Sequence, residues 1–298
     1  MLTLARRVAV LAALTLAAPA FAEDVTIATA RGDVALAATP EKVAVLDIAA
    51  IDTLHALGVP SAGVPDKLYV DYLGDVAAQA QVVGTLFEPD LEALATLAPD
   101  LIIAGGRSST QVEALAPVAP TIDMTIWEDV VGQGRDRIAA YGRLFGKEDK
   151  AAELTAALDA KIAQAKAAVE GKGRGLILMT NGPKISAYGK GSRFGWLHDT
   201  LGLPEAHENL NPETHGDAVS FEFVAEVNPD WILVIDRSAA IGEPGSAMAT
   251  LDNPLVMGTT AGQKGQIVLL SSTPVYIAGG GYTSLMTTLD EMLAAFGG

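Results

Sequence analysis

Lys147-Glu-Asp-Lys-Ala-Ala-Glu-Leu-Thr-Ala-Ala-Leu-Asp-Ala-Lys-Ile-Ala-Gln-Ala-Lys-Ala-Ala-Val-Glu170 is the stretch on which the fold turns. It contains no Gly or Pro and is rich in Ala, Leu, Glu and Lys, which lose little freedom in a helix. Its apolar residues Ala151, Leu154, Leu158, Ile162, Ala165 and Val169 form one helical stripe. At 1.5 Å per residue such a helix runs roughly 36 Å, about the width of a small domain. Gly146 precedes it, and Gly171, Gly173 and Gly175 follow. The spacing predicts a rigid connector over 147–171 between an N-terminal lobe (23–146) and a C-terminal lobe (172–298). A surface helix within a single domain is the alternative.

On both sides of this helix, short apolar runs alternate with helical patterns. Lys42-Val-Ala-Val-Leu46 reads as a buried strand, and Ile48, Ile51 and Leu54 then mark a helix that Gly58 and Pro60 end. The alternation recurs at 101–104, 175–179, 231–235 and 266–270. Such βα units imply an α/β fold with parallel-rich sheets covered by helices. Ahead of them, 25–30 and 34–37 read as a hairpin around Arg31-Gly32-Asp33.

The two halves share a pattern. Glu92 is followed seven residues later by Pro99-Asp100, then an apolar run, then Arg107. Glu222, Pro229-Asp230, a second run and Arg237 repeat it with the same internal spacing, 130 residues on. Each unit is a helix starting near the Glu, a turn at Pro-Asp, and a strand whose C-terminal end delivers an Arg. In open α/β sheets that end faces the ligand crevice, so each lobe aims an arginine at a shared cleft. Fold symmetry alone, with solvated arginines, would leave the same repeat.

Arg6 and Arg7, the apolar run 8–18 and Ala20-Phe21-Ala22 form the pattern of a cleavable secretory leader, and the apolar run is too short to span a bilayer. The expected mature chain starts at Glu23 and is periplasmic. There is no cysteine, which excludes disulfides, thiolate metal sites and a lipid-bearing Cys. The formal charge of -16 loses two further positive charges with the leader. That balance argues against nucleic acid and anionic membrane surfaces as partners, and no later segment is apolar enough to span a bilayer.

Asp90-Leu-Glu-Ala-Leu-Ala-Thr-Leu-Ala-Pro-Asp-Leu-Ile-Ile103 and Ser220-Phe-Glu-Phe-Val-Ala-Glu-Val-Asn-Pro-Asp230 resemble the paired signatures of periplasmic siderophore- and cobalamin-binding proteins. Thr214-His215-Gly216 leading into Val219-Ser220-Phe221-Glu222, and Val275-Tyr276 through Gly279-Gly280-Gly281 to Thr283-Ser284, are similar to the ferric catecholate-binding subgroup. The resemblance covers nearly the whole mature chain. It implies two lobes joined by one long helix, a ligand between them and no catalysis. It further implies His215 and Tyr276 as iron ligands, Arg107, Arg193 and Arg237 as a cationic cup, and Glu92 and Glu222 as carboxylates docking onto the permease of an ABC importer. No intrinsic cofactor is expected, since Fe(III) arrives as a siderophore complex, and the chain is expected to act as a monomer.

Chemistry agrees with that expectation. Fe(III) is a hard ion suited to phenolate and catecholate oxygen and tolerant of imidazole. Two catecholates fill four of six octahedral positions and leave two for side chains. The chelate is anionic, and an arginine at about 6 Å in an effective dielectric of about 20 contributes roughly 3 kcal/mol before desolvation. The bland readings are an exposed loop histidine at His215, a buried structural tyrosine at Tyr276 and a solvated Arg193. His55 and His198 read as structural.

Rival functions are less well supported. A haem- or cobalamin-binding protein of the same architecture is the nearest. For a secreted hydrolase there is no Gly-x-Ser-x-Gly elbow and no P-loop. Gly189-x-Gly191-x-x-x-Gly195 misses the dinucleotide fingerprint by one residue and follows no convincing strand. Four histidines without a His-rich loop make a zinc site weak.

Overall fold

A computed structural model describes residues 24–36, 39–212 and 215–297; the expected leader, Ala37 and Thr214 lie outside them. The connector is the 22-residue helix Glu148–Val169, about 33 Å long. Its buried residues are Ala151, Leu154, Leu158, Ile162, Ala165 and Val169, the whole of the apolar stripe. Two helices flank it, Val130–Leu144 before it in the chain and Tyr282–Phe296 at the end. Ion pairs Arg135–Asp159 and Lys161–Asp290 tie these neighbours to its outer surface.

The first hairpin pairs β1 (Val25–Thr29) with β2 (Gly32–Leu36). The N-terminal sheet contains β3 (Val43–Val45), β4 (Gly63–Val64), β5 (Gln81–Val82), β6 (Leu101–Ala104) and β7 (Thr121–Asp123) in the order β5-β4-β3-β6-β7, all parallel. The C-terminal sheet contains β8 (Gly175–Asn181), β9 (Lys184–Tyr188), β10 (Asp217–Val219), β11 (Trp231–Asp236) and β12 (Ile267–Leu269), ordered β10-β9-β8-β11-β12. Strands β8, β11 and β12 are parallel, whereas β9 and β10 add an antiparallel edge. In both sheets the central strands are buried on both faces, as continuous apolar runs require.

Strand β9 corrects one part of the sequence reading, because it runs directly into Gly189. Its residues alternate in burial less regularly than an amphipathic strand, so no clear period marks it. The two-residue loop Gly182-Pro183 folds it back on β8, and Gly182 adopts φ +57°, which suits a glycine at that point of a tight hairpin.

The lobes share one core. A continuous apolar cluster runs from Val43 and Ile51 through Leu158 to Leu233 and Leu289. Asp52, on the helix Ile48–Ala56, is fully buried and accepts the backbone N–H of Thr283 (2.7 Å) and Ser284 (2.9 Å) and the Tyr72 hydroxyl (2.7 Å). A carboxylate of one lobe thus caps the first turn of the final helix. Gly281 makes room for this contact, since a Cβ there would stand 2.7 Å from the Asp52 carboxylate. Lys67 adds a second tie, donating to the Ile241 carbonyl at 3.1 Å.

Candidate functional site

Arg107 and Arg237 each stand just beyond the C-terminal end of a central strand, β6 and β11. Below Arg107, Gly105 and Gly106 form a tight turn over Asp47, and the Gly106 N–H donates to Thr125 Oγ1 at 2.9 Å. Arg237 opens the short helix Arg237–Ala240, whose N-cap Asp236 accepts N–H groups from Ala239, Ser246 and Ala247. Arg193 sits in the Gly189–Gly195 loop after β9. That loop is fixed by Ser192 Oγ donating to the Gly189 carbonyl, Lys190 N–H to Glu205 and Gly191 N–H to Asp199. A loop fixed in this way presents its arginine with little left to order on binding.

These three arginines meet at Tyr276, on the helix Ser272–Ile277. The Tyr276 carbonyl accepts from Arg193 Nη2 at 2.9 Å and from Arg107 Nη2 at 3.3 Å. The same guanidinium groups lie 4.4 Å and 5.3 Å from the centroid of its ring, within cation–π range. Arg237 acts on the phenol electrostatically, helping to lower it. Buried Phe194 backs the ring at 6.4 Å and rests in turn edge-on against Tyr188 at 4.8 Å.

The electrostatics follow from this crowding. Burial alone would raise the Tyr276 phenol, but Arg193, Arg237 and Arg107 bring it below the usual tyrosine range. Burial weakens the hold of Arg193 on its proton; Tyr276 opposes that effect and Arg107 adds to it. Arg107, Arg193 and Arg237 thus concentrate positive charge around one phenol. The site is built for negative charge.

Two adjoining hollows share Arg193 and Trp127. The inner one, about 50 Å³, is lined by Asp47, Arg107, Arg193 and Tyr276. The outer one, about 700 Å³, is lined by Trp127, Glu128 and Asp129 on one side and Arg193, Pro212 and His215 on the other. His215 is exposed there, in the outer hollow rather than beside the Tyr276 ring. Sequence reasoning missed Asp47, Trp127, Glu128 and Asp129. Asp47 directly follows the apolar run 42–46, and the strand-end rule that found Arg107 would have found it. Trp127 follows β7, which at three residues gives too short a pattern to read.

Glu92 and Glu222 lie away from both hollows, exposed in the first turns of the helices Leu91–Leu97 and Phe221–Val227. Backbone and Ser220 hydroxyl hydrogen bonds lower the Glu222 carboxyl. The intervening aspartates are structural. Asp100 accepts the N–H of Glu41 and Lys42, and Asp230 that of Arg174, each locking the start of a neighbouring strand. The histidines read as structural are both engaged: His198 is buried with Nδ1 2.8 Å from the Leu203 carbonyl, and His55 faces Asp75 at 3.2 Å.

Two sheet-and-helix lobes, one connecting helix and a cleft between them where arginines gather have the architecture of a substrate-binding protein. Comparison with known proteins agrees. Residues 43–274 match the family model described as periplasmic binding protein, and the chain belongs to that family. It is 36% identical over 258 residues to the petrobactin-binding protein YclQ of Bacillus subtilis, covering 85% of this chain and 81% of the relative. It is 29% identical over 274 residues to the ferric-anguibactin-binding protein FatB of Vibrio anguillarum, covering 89% and 85%. The crystal structure of YclQ superposes with a TM-score of 0.86, covering 92% of this chain and 99% of that one at 34% identity. The periplasmic catecholate-siderophore binding protein VctP of Vibrio cholerae gives 0.85, covering 91% and 100% at 30% identity.

Proposed function

We propose that this protein captures a ferric bis-catecholate siderophore between its lobes and delivers it to an ABC importer. The observation that carries the reading is the meeting of Arg107, Arg193 and Arg237 around Tyr276 in a strongly acidic chain. Such a cluster of arginines suits an anion, and a ferric bis-catecholate, with one net negative charge, is one; the hollow of about 50 Å³ beside Tyr276 admits only its edge, and its body fills the outer hollow of about 700 Å³. Tyr276, with its phenol shifted toward the anionic form, supplies one hard oxygen ligand; His215, which lines the outer hollow, supplies the second position once it moves toward Tyr276 on binding. The relatives named for ferric siderophores support the same class of cargo.

In this reading residues 23–146 and 172–298 are the two jaws, 147–171 is the strut, and Glu92 and Glu222 dock onto the permease. The leader 1–22 exports the chain to the periplasm, where it works as a free monomer. Among the described residues no helix is long and apolar enough to cross a membrane.

The test is a titration of purified protein with a ferric bis-catecholate, a ferric hydroxamate, haem and cobalamin, followed by tryptophan quenching and absorbance. The catecholate is expected to bind tightest and to keep a broad visible charge-transfer band that Tyr276→Phe shifts. Tighter binding of haem, with a sharp Soret band, would replace this reading.

A further inference from the structure

Phe194 is fully buried behind the cleft, in the loop Gly189–Gly195 that carries Arg193. A buried apolar side chain in a loop of glycines and polar residues anchors that loop to the core, and an aliphatic residue would anchor it as well. What an aliphatic residue lacks is a π face, and here the face has a partner. The Arg193 guanidinium lies 4.8 Å from the Phe194 ring centroid and 4.4 Å from that of Tyr276, while the two rings stand 6.4 Å apart. The cation thus lies over two rings at once, each within the range at which a ring quadrupole attracts it.

Two further observations show what this arrangement achieves. The bond from Arg193 to the Tyr276 carbonyl, at 2.9 Å, fixes one nitrogen but leaves the guanidinium plane free to pivot about it, and a second ring removes that freedom. Among the described residues, the arginines engaged in ion pairs are Arg31, Arg135 and Arg174, not Arg193. A half-buried guanidinium needs compensation, and ring faces supply it without cancelling the charge as a carboxylate would. Phe194 is held in turn by the edge of Tyr188 at 4.8 Å. Gly216 makes room for Tyr188, since a Cβ there would stand 3.0 Å from its ring.

We propose that Phe194 is a positioning residue of the binding site: its buried ring holds the Arg193 guanidinium over Tyr276, so that the cation meets the chelate already oriented and not neutralised. Phe194 touches no ligand and acts through Arg193. This inference rests on the ferric-catecholate reading of the cleft and adds the residue that orients one of its cations.

The experiment uses Phe194→Leu, which keeps an apolar anchor and removes the ring, with Phe194→Met as a second filling should the leucine variant fold poorly. Affinity for a synthetic ferric bis-catecholate, titrated by absorbance, is expected to fall about tenfold. In an Arg193→Gln background the same substitution should cost less than about twofold, because the cation that it positions is gone. A plain loop anchor would instead give the same loss in both backgrounds. The free protein supplies a second readout, because Arg193 lowers the Tyr276 phenol. Ultraviolet titration, with Tyr276→Phe identifying the signal, should show that phenol rising in Phe194→Leu, while Arg107, Arg237 and Tyr188 still face it. Unchanged affinity, an equal loss with and without Arg193, or an unmoved phenol overturns the positioning role. Failure of the wild type to bind the chelate overturns the catecholate reading, and the phenol titration then decides the positioning role by itself.

Discussion

Asp47 is the residue in the cleft whose charge works against the fold. Burial lifts its carboxyl from 3.8 to about 6, against the opposing pull of the Ala50 N–H and of Arg107. Asp123 raises it further, and the Tyr141 hydroxyl, buried beneath without a hydrogen-bond partner, offers it little help. A folded-state value above the unfolded one means that the native protein holds this proton more tightly. The resulting stability is fully present below 3.8 and is lost as pH rises through about 6, roughly 3 kcal/mol in all. Asp47→Asn keeps an N-cap acceptor and removes the charge. Urea unfolding should show the variant matching the wild type near about pH 4 and exceeding it near about pH 7.5. A variant less stable than the wild type at the higher pH would contradict this assignment.

At the scale of elements, the joint between the helix Ile48–Ala56 and the final helix is the most exposed to a single change. Asp52→Ala leaves the Thr283 and Ser284 N–H groups and the Tyr72 hydroxyl without their buried acceptor. Each charge-assisted bond is worth about 1.5–3 kcal/mol, so the variant should lose at least about 3 kcal/mol in chemical denaturation. A loss under about 1 kcal/mol would show that water replaces the carboxylate and that the joint is not dry. This joint was not legible beforehand, because Asp52 sits in a helix with no spacing that connects it to residues 283 and 284. The connector was legible: six apolar residues at helical spacing leave one face to bury, and that face is the buried one. Strands β3, β6, β8, β11 and β12 announced themselves as apolar runs, whereas β4 and β5 have only two residues and β10, Asp217-Ala-Val219, lies in no apolar run. Within the cleft, the repeat pointed to Arg107 and Arg237. It could not show that Arg107 engages Tyr276 through a backbone carbonyl, which any residue type would supply.

Across the whole molecule, the repeat separates into an inner and an outer function. Arg107 lines the inner hollow and Arg237 follows the end of β11, the aspartates lock strands, and the glutamates stand exposed on helix first turns, one per lobe. A paired outer surface of this kind suits a partner that meets both lobes at once. Glu92→Ala combined with Glu222→Ala should therefore abolish iron uptake in cells while leaving the affinity of the purified protein for its chelate unchanged. Loss of chelate binding would instead tie these helices to the cleft.

At every scale the proposed capture has the same requirement: that charge gathered from both lobes grip an anionic metal chelate. Arg193 stands in both hollows, so the decisive quantity is the dissociation constant of Arg193→Gln for a ferric bis-catecholate. Weakening by about a hundredfold is expected, with thermal unfolding little changed. An affinity equal to that of the wild type would contradict it.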